Sequence, residues 1–178
     1  VHEEVPQFIG CLAQKISLRK YKHLSYIEER HELSLREIKW LENMHTFKPR
    51  QAIKVGNIKI TPFFVSHSAG DAYMFLVEAD GKRVLHTGDF RCHGYLGKGL
   101  KPTINKYILT KGNIDILITE GTMLSRLDER VQHENDLKLK AISLMKQYKN
   151  VFVMCSSTNL ERLATFHAAN KEVKGRPF

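Results

Sequence analysis

The stretch IKITPFFVSHSAGDAYMFLVEADGKRVLHTGDF, residues 58–90, decides the fold because its pattern predicts three consecutive strands of one antiparallel sheet. Apolar and polar residues alternate at the start of 58–65 and give way to an apolar run, as expected for a strand that enters a sheet. A second apolar run, 73–77, is followed by an Asp-Gly pair at 80–81 that favours a two-residue hairpin turn. The third strand, 83–87, then returns antiparallel to the second.

Two candidate metal ligands lie where the first and third of these strands end. His67 stands in the small polar loop after the first strand, and Asp89 follows Gly88, which breaks the third. The first and third strands run in the same direction, so both side chains should lie at one edge of the sheet. Imidazole and carboxylate groups are ligands that zinc and other divalent cations take readily. The residues alone leave open a structural histidine and an aspartate that caps backbone N–H groups.

Two further carboxylates are expected to support this site. Residues 115–119 form a nearly continuous apolar run, typical of a strand buried on both faces, and Glu120 ends it. A buried carboxylate is costly unless it is hydrogen-bonded or near a cation, so we expect Glu120 to orient a metal ligand. Asp71, four residues after His67, is assigned the same supporting role. The alternative for both is a carboxylate that accepts backbone N–H bonds of its own turn.

The charge distribution favours a polyanionic partner. The chain has 28 basic and 19 acidic residues, a formal net charge of +9. Residues 91–113 contain five basic residues and no acidic one. We expect Arg91, Lys98 and Lys101 to contact the backbone phosphates of a nucleic acid next to the metal site. The alternative is a solvated, mobile surface loop, for which the glycines of this segment are well suited.

Composition excludes several classes of protein. At 178 residues, with 42% hydrophobic and 26% charged residues, the chain is typical of a soluble globular protein with one core. It has no apolar stretch long enough to span a bilayer and does not start with a secretory signal. Its three widely spaced cysteines indicate neither a disulfide framework nor a zinc knuckle. We therefore expect no membrane partner and a cytoplasmic location.

The N-terminal third predicts helices that flank the sheet. Residues 6–21 carry apolar side chains at helical spacing, and Ser34 with Glu37 forms a capping-box pattern ahead of an apolar stripe. We expect these helices to cover one face of the sheet, with Trp40 packed against it.

The C-terminal part predicts alternating strands and helices. After the run at 115–119, residues 137–148 have helical spacing, 151–154 reads as another buried strand, and a helix follows the polar residues 156–159. This alternation implies a parallel α/β layer. The predicted fold class is therefore α/β.

Three segments taken in order resemble a known superfamily. SHSAGDAYMFLVEADGKRVLHTGDFR (66–91) and DILITEGTMLSR (115–126) resemble the third and fourth metal-binding motifs of the metallo-β-lactamase superfamily, most closely its β-CASP branch of ribonuclease J-like nucleases. VFVMCSSTNLERLATFHAANKEVKGRPF (151–178) is similar to the first strand and helix of a β-CASP domain. The resemblance implies part of an αββα sandwich, a mixed sheet flanked by helices, in residues 1–149, and the beginning of a β-CASP domain in 150–178.

The resemblance also implies roles for single residues. His67 matches the ligand of the third motif, Asp89 the fourth-motif residue that bridges two metals, and Glu120 the acidic residue of the first β-CASP motif. The family's HxHxDH segment is absent, so the resemblance implies an internal fragment whose other ligands lie elsewhere in a longer protein. The implied cofactors are two divalent ions, zinc or manganese.

The implied activity is metal-dependent phosphodiester hydrolysis of RNA or single-stranded nucleic acid, with Asp89 and Glu120 as catalytic residues. Whether an internal bond or an end is cut, and whether the protein forms a homo-oligomer, is left open. Two alternatives are kept. One is a small-molecule metallohydrolase of the same superfamily, such as a lactonase or thioesterase, and the other is a non-catalytic nucleic-acid-binding module.

Overall fold

The computed structural model describes residues 7–125 and 131–173 and has an α/β fold, as predicted. The predicted helix start at residue 6, residue 126 and residues 174–178 of the quoted motifs lie outside the described residues. The strands are β1 (Phe8–Gly10), β2 (His45–Phe47), β3 (Ile53–Val55), β4 (Ile58–Val65), β5 (Ala72–Ala79), β6 (Lys82–His86) and β7 (Ile116–Ile118). The main helices are α1 (Cys11–Leu24), α2 (His31–Asn43), α3 (Leu100–Thr103), α4 (Glu134–Gln147) and α5 (Leu160–Glu172).

A five-stranded mixed sheet, ordered β3-β4-β5-β6-β7, forms the centre of the fold. Its first four strands are antiparallel and β7 pairs parallel with β6, while β1 and β2 make a separate two-stranded parallel sheet. The three strands predicted from residues 58–90 are confirmed. The hairpin between β5 and β6 turns through Asp80 (φ 50°) and Gly81 (φ 72°), the two positive angles that a type I′ turn requires.

One face of the large sheet is covered by the basic segment that follows the candidate metal ligands. This segment is helical: α3 lies between a 3-10 turn at Leu96–Gly99 and further helical turns that end at Lys111. Ile108 is fully buried in a core with side chains of the sheet, which include Phe63, Val65, Met74, Leu76 and Leu85. From residue 96 to 111 this segment is therefore helical and not a loop, and Ile108 anchors it to the sheet.

The other face of the sheet meets β2 instead of Trp40. The ring of Phe47 packs edge-on against Tyr73 and Phe75, at centroid distances of 5.0 and 5.9 Å. Trp40 is 51% exposed on α2, so the prediction that it packs against the sheet is wrong. The helices α1 and α2 pack mainly against each other, and α1 contacts the small sheet.

Two N-terminal predictions are corrected. The residues Phe8–Gly10 form a strand and not the first turn of a helix, because they pair with His45–Phe47, and tertiary pairing overrides a local pattern. Ser34 does not cap a helix. It is 1% exposed inside α2, which begins three residues earlier at His31.

Two C-terminal predictions are also corrected. The strand β7 is not buried on both faces, since Ile116, Leu117 and Ile118 are 47 to 61% exposed. Residues 151–154 form no strand, and Phe152 is 98% exposed. Both apolar runs need a neighbouring strand or layer to cover them, and β7 is the last strand of the sheet in the part of the chain that the structure describes. The only parallel pairing found there in the large sheet is between β6 and β7.

The predicted helices near 137–148 and after 156–159 are confirmed as α4 and α5, which pack together through Ala141, Met145 and Ala169. Asn159 caps α5 by accepting the backbone N–H of Arg162. No helix within 7–125 and 131–173 is both long and apolar enough to cross a membrane.

A buried ion pair fastens α4 to α5. Glu134 is 1% exposed, and its carboxylate accepts hydrogen bonds from Nε of Arg162 (3.0 and 3.1 Å) and from the hydroxyl of Thr165 (2.7 Å). Burial by itself raises the pKa of Glu134, but these hydrogen bonds outweigh burial and hold the pKa below its ordinary value. A lowered folded-state pKa contributes stability above the unfolded-state pKa, and that contribution is lost as pH falls through the folded-state pKa.

We therefore expect Glu134→Gln to lower the free energy of unfolding at neutral pH by roughly 3 kcal/mol, because the change leaves a half-buried guanidinium without its counter-charge. The variant should also lose less stability than the wild type on acidification below about pH 4.5. Urea unfolding at neutral and acid pH measures both effects. Glu42→Gln, the same change at an exposed position of α2, is the control, and equal curves for the two variants would contradict this role.

Candidate metal centre and adjoining cavity

The structure brings His67 and Asp89 together at one edge of the sheet. His67 lies two residues beyond β4 and Asp89 three residues beyond β6, and Nε2 of the histidine is 3.8 Å from Oδ2 of the aspartate. The two side chains are 32% and 68% exposed, so the pair faces solvent. Gly88 makes this turn feasible, since its φ is +56° and a Cβ there would stand 2.9 Å from the carbonyl oxygen of Tyr73. A larger residue at 88 would displace Asp89.

The distance between His67 Nε2 and Asp89 Oδ2 is close to that expected for two ligand atoms of one divalent ion. Bonds of about 2.0–2.2 Å from zinc to nitrogen and oxygen place two donors of a tetrahedral site about 3.4 Å apart. The observed 3.8 Å needs only a small side-chain adjustment, and Ser68 Oγ is 3.1 Å from the same imidazole nitrogen. No group of three or more His, Cys, Asp or Glu side chains that could hold a metal is found among the described residues. The pair therefore supplies part of a ligand set.

Glu120 holds the backbone next to Asp89. Its Oε1 accepts the N–H of Phe90 at 2.8 Å, which fixes the peptide that follows the aspartate. A hydrogen bond from the Thr122 side chain, followed by the Phe90 N–H, lowers the pKa of Glu120. Glu120 therefore accepts hydrogen bonds from its own turn and from the backbone beside Asp89, and its role in orienting a metal ligand stays a prediction.

Asp71 has a capping role. Its Oδ2 accepts the N–H of Ala13 at 2.7 Å, in the first turn of α1, and its Oδ1 accepts a hydrogen bond from the hydroxyl of Tyr73. Burial, and then the hydrogen bond to Asp71, raise the pKa of Tyr73. Gly10 permits the close approach, because a Cβ there would overlap the Asp71 carboxylate. The structure therefore gives Asp71 the N–H-capping role, with the N–H groups coming from α1 and not from its own turn, and its support of a metal ligand stays a prediction.

The predicted phosphate-binding residues differ in their surroundings. Lys98 and Lys101 are exposed on the helical segment. Arg91, in contrast, has a side chain that is 10% exposed, and its Nη2 donates to Glu161 (3.1 Å) and to Asn159 (2.9 Å). The guanidinium of Arg91 is therefore committed to contacts within the protein, and the arrangement gives no support to its predicted contact with phosphate.

Glu161 is a positioning residue that the sequence reasoning missed. From the first turn of α5 it accepts hydrogen bonds from Arg91, from the hydroxyl of Ser66 (2.9 Å) and from the backbone N–H of Leu96 (2.9 Å). Ser66 and Arg91 belong to the loops next to His67 and Asp89, and Leu96 begins the helical segment that follows. The Arg91 N–H also donates to the carbonyl of Ser66 (2.8 Å). The sequence signal was only an acid in the first turn of a helix, which also occurs without tertiary contacts.

A cavity of about 810 Å³ adjoins the candidate metal centre. Among the side chains that line it are Phe90, His93, Glu120, Met123, Leu124 and Arg162. Burial, followed by the charge of Arg91, lowers the pKa of His93, which favours the neutral form of its imidazole. His93 had not been singled out from the sequence, because a histidine in a glycine-containing loop has no distinctive pattern.

The comparisons with known proteins give a structural neighbour. No family model matches the chain, and no curated protein matches it. A similar solved structure is the crystal structure of a protein of unknown function from Enterococcus faecalis V583, with 23% sequence identity and a TM-score of 0.60. The match covers 70% of this chain and 31% of that protein, so the chain spans about a third of its neighbour. At this identity the likeness shows the fold alone.

Proposed function

We propose that this chain contributes part of the active site of a metal-dependent phosphodiester hydrolase that acts on RNA or another single-stranded nucleic acid. The observation that carries the proposal is the 3.8 Å approach of His67 Nε2 to Asp89 Oδ2 at an open sheet edge. The order of motifs that resemble β-CASP nucleases and the formal charge of +9 support the same activity. The proposal includes the metallo-β-lactamase domain at 1–149, the β-CASP domain that begins near residue 150, and a cytoplasmic location.

In this proposal, His67 and Asp89 hold two divalent ions, zinc or manganese, together with ligands outside the described residues. Such ions supply hydroxide near neutral pH and stabilise charge on phosphate oxygens. Glu120 fixes the backbone after Asp89. The Ser68 hydroxyl contacts the same imidazole nitrogen that would hold an ion, and it would have to release that nitrogen when the ion binds. The position of Asp89 therefore depends on a hydrogen bond that this chain provides itself.

The cavity beside Glu120 is proposed to bind the nucleotide next to the scissile bond. Phe90 and Met123 form an apolar part of the cavity wall. The neutral imidazole of His93 can donate a hydrogen bond to the substrate or accept one from it. Lys98 and Lys101 are exposed to solvent, so both can bind backbone phosphates of the neighbouring nucleotides.

Parallel assays on RNA and on a lactone test the proposal. The protein that contains this chain is incubated with end-labelled single-stranded RNA or with a lactone, in zinc, manganese or EDTA. We expect RNA shortening that requires metal, and no lactone hydrolysis. Hydrolysis of the lactone alone would favour the small-molecule hydrolase, and RNA binding without cleavage in any metal would favour the non-catalytic module.

A further inference from the structure

A second concave surface lies between β4 and the end of the helical segment. It is a cavity of about 470 Å³ between the loop 48–51, β4 and the last turns before residue 112. Three cationic side chains line it, those of Lys48, Arg50 and Lys111. Among the described residues that line it there is no carboxylate.

The guanidinium of Arg50 is held in place at this cavity. Its Cζ lies 5.2 Å from the centroid of the Tyr107 ring, and its Nη1 donates to the Tyr107 hydroxyl at 3.0 Å. The ring itself stacks on Phe63 at a centroid distance of 6.4 Å. The backbone of Arg50 has a φ of +65°, unusual for a residue with a side chain, and is tied to the carbonyl of Pro62 at 2.6 Å. The fold thus maintains a costly backbone conformation that presents this cation.

Within 7–125 and 131–173, no carboxylate forms an ion pair with the three cations that line this cavity. Nζ of Lys106, just outside the lining, lies 5.4 Å from the centroid of the same Tyr107 ring, so two cations contact one aromatic ring. The charge of Lys111 contributes to the lowered pKa of Glu78, but it is the smallest of the contributions. The Glu78 carboxylate is already paired with Lys59 (2.7 Å) and Arg83 (3.6 Å). Like charges that line one cavity repel one another, and a bound anion would relieve that repulsion.

We propose that this cavity binds a phosphate group of a single-stranded nucleic acid, at a site separate from the candidate metal centre. A planar guanidinium matches the oxygens of phosphate in a bidentate fashion, and the lysines add point charges. The helical segment connects the two sites. Lys98 and Lys101 lie near its beginning and Lys111 at its end, which is roughly 20 Å away at the rise of a helix.

The identity of the polyanion rests on the proposed function, whereas the phosphate chemistry rests on the cavity alone. The cations along the segment would follow the backbone of a strand that reaches from the cavity to the metal centre. Contacts of this kind fix the position of the substrate without reading its sequence.

Binding of RNA in EDTA tests the proposal without cleavage. Fluorescence anisotropy of a labelled oligouridine is measured with the wild type, Arg50→Gln, Lys111→Gln and the control Lys140→Gln, an exposed lysine of α4 outside the cavity. We expect each cavity variant to bind roughly three to ten times more weakly and the slope of log K against log salt to fall by about 0.7 per lost phosphate contact. Lys111→Gln leaves the Arg50–Tyr107 stacking intact, and thermal unfolding verifies the fold.

Two results would overturn the proposal. One is an affinity of the cavity variants equal to that of Lys140→Gln, and the other is displacement of the RNA by polyaspartate as efficiently as by oligouridine of the same charge, which would indicate an acidic protein partner. Loss of RNA binding in the cavity variants, in a protein that cleaves no RNA with any metal, would support the cavity and reject only the proposed hydrolase.

Discussion

Replacing Asp89 by alanine is expected to reduce metal-dependent RNA hydrolysis more than about 100-fold, with the fold unchanged. Loss of an outer-sphere partner of a metal costs 10- to 100-fold, and the loss of a direct ligand, the role proposed for Asp89, should cost more (about 1.4 kcal/mol for each tenfold). The fold should persist because the Asp89 side chain is 68% exposed. Cleavage of labelled RNA and the metal content of the purified protein are the measurements.

Two further variants distinguish a role of Asp89 as a metal ligand from a general effect of losing a negative charge. Asp89→Asn keeps the shape of the side chain and should also be inactive, because an amide is a poor substitute for a bridging carboxylate. Asp136→Ala removes an exposed carboxylate from α4 and should keep full activity. An Asp89→Ala variant that retains its activity and its metal would show that the carboxylate takes no part in the chemistry.

Replacing Glu161 by alanine is expected to have the largest effect on stability among single changes near the site. The change removes the carboxylate that Arg91 faces, and both side chains are only 10% exposed. Removing one partner of a buried ion pair costs about 3–5 kcal/mol, and here the hydroxyl of Ser66 and the N–H of Leu96 also lose their acceptor. We expect the free energy of unfolding to fall by roughly 3 kcal/mol and metal affinity to fall with it, since the loops of His67 and Asp89 lose their common anchor.

The same helix offers a control for Glu161. Glu172 lies at the end of α5, is 52% exposed and pairs with Lys138 on the surface, so Glu172→Ala should cost less than about 1 kcal/mol. A cycle of Glu161→Ala, Arg91→Ala and the double variant then isolates the pair, and we expect a coupling of more than about 1 kcal/mol. Urea unfolding that gives additive effects would rule out the ion pair as the link between the helix and the loops.

The part of the site that depends on local sequence could be predicted. Alternation of apolar residues in 58–65, the Asp-Gly turn at 80–81 and the break at Gly88 fix the strand order and the register within one continuous stretch. Once those are fixed, strand direction alone puts His67 and Asp89 at the same edge. No contact with a distant segment is needed for this result.

The part that depends on distant segments could not be predicted. The partner of Arg91 is Glu161, 70 positions away in the chain. The residues around Arg91 do not indicate whether its guanidinium pairs within the protein or is available to bind phosphate. The apolar runs at 115–119 and 151–154 carry the composition of buried strands, but whether they are covered depends on which neighbours pack against them. The contact of Arg50 with Tyr107 and its positive φ angle likewise depend on tertiary structure and have no signal in the local sequence.

The hydrogen bonds of Asp71 have a mechanical consequence. The loop that presents His67 also satisfies the amino end of α1 through Ala13, so this loop cannot open without uncapping that helix. A displacement of this loop would therefore disturb the hydrogen bond to Ala13, 58 positions before Asp71 in the chain. The conformation of the loop that carries His67 and the order of the first turn of α1 are therefore coupled.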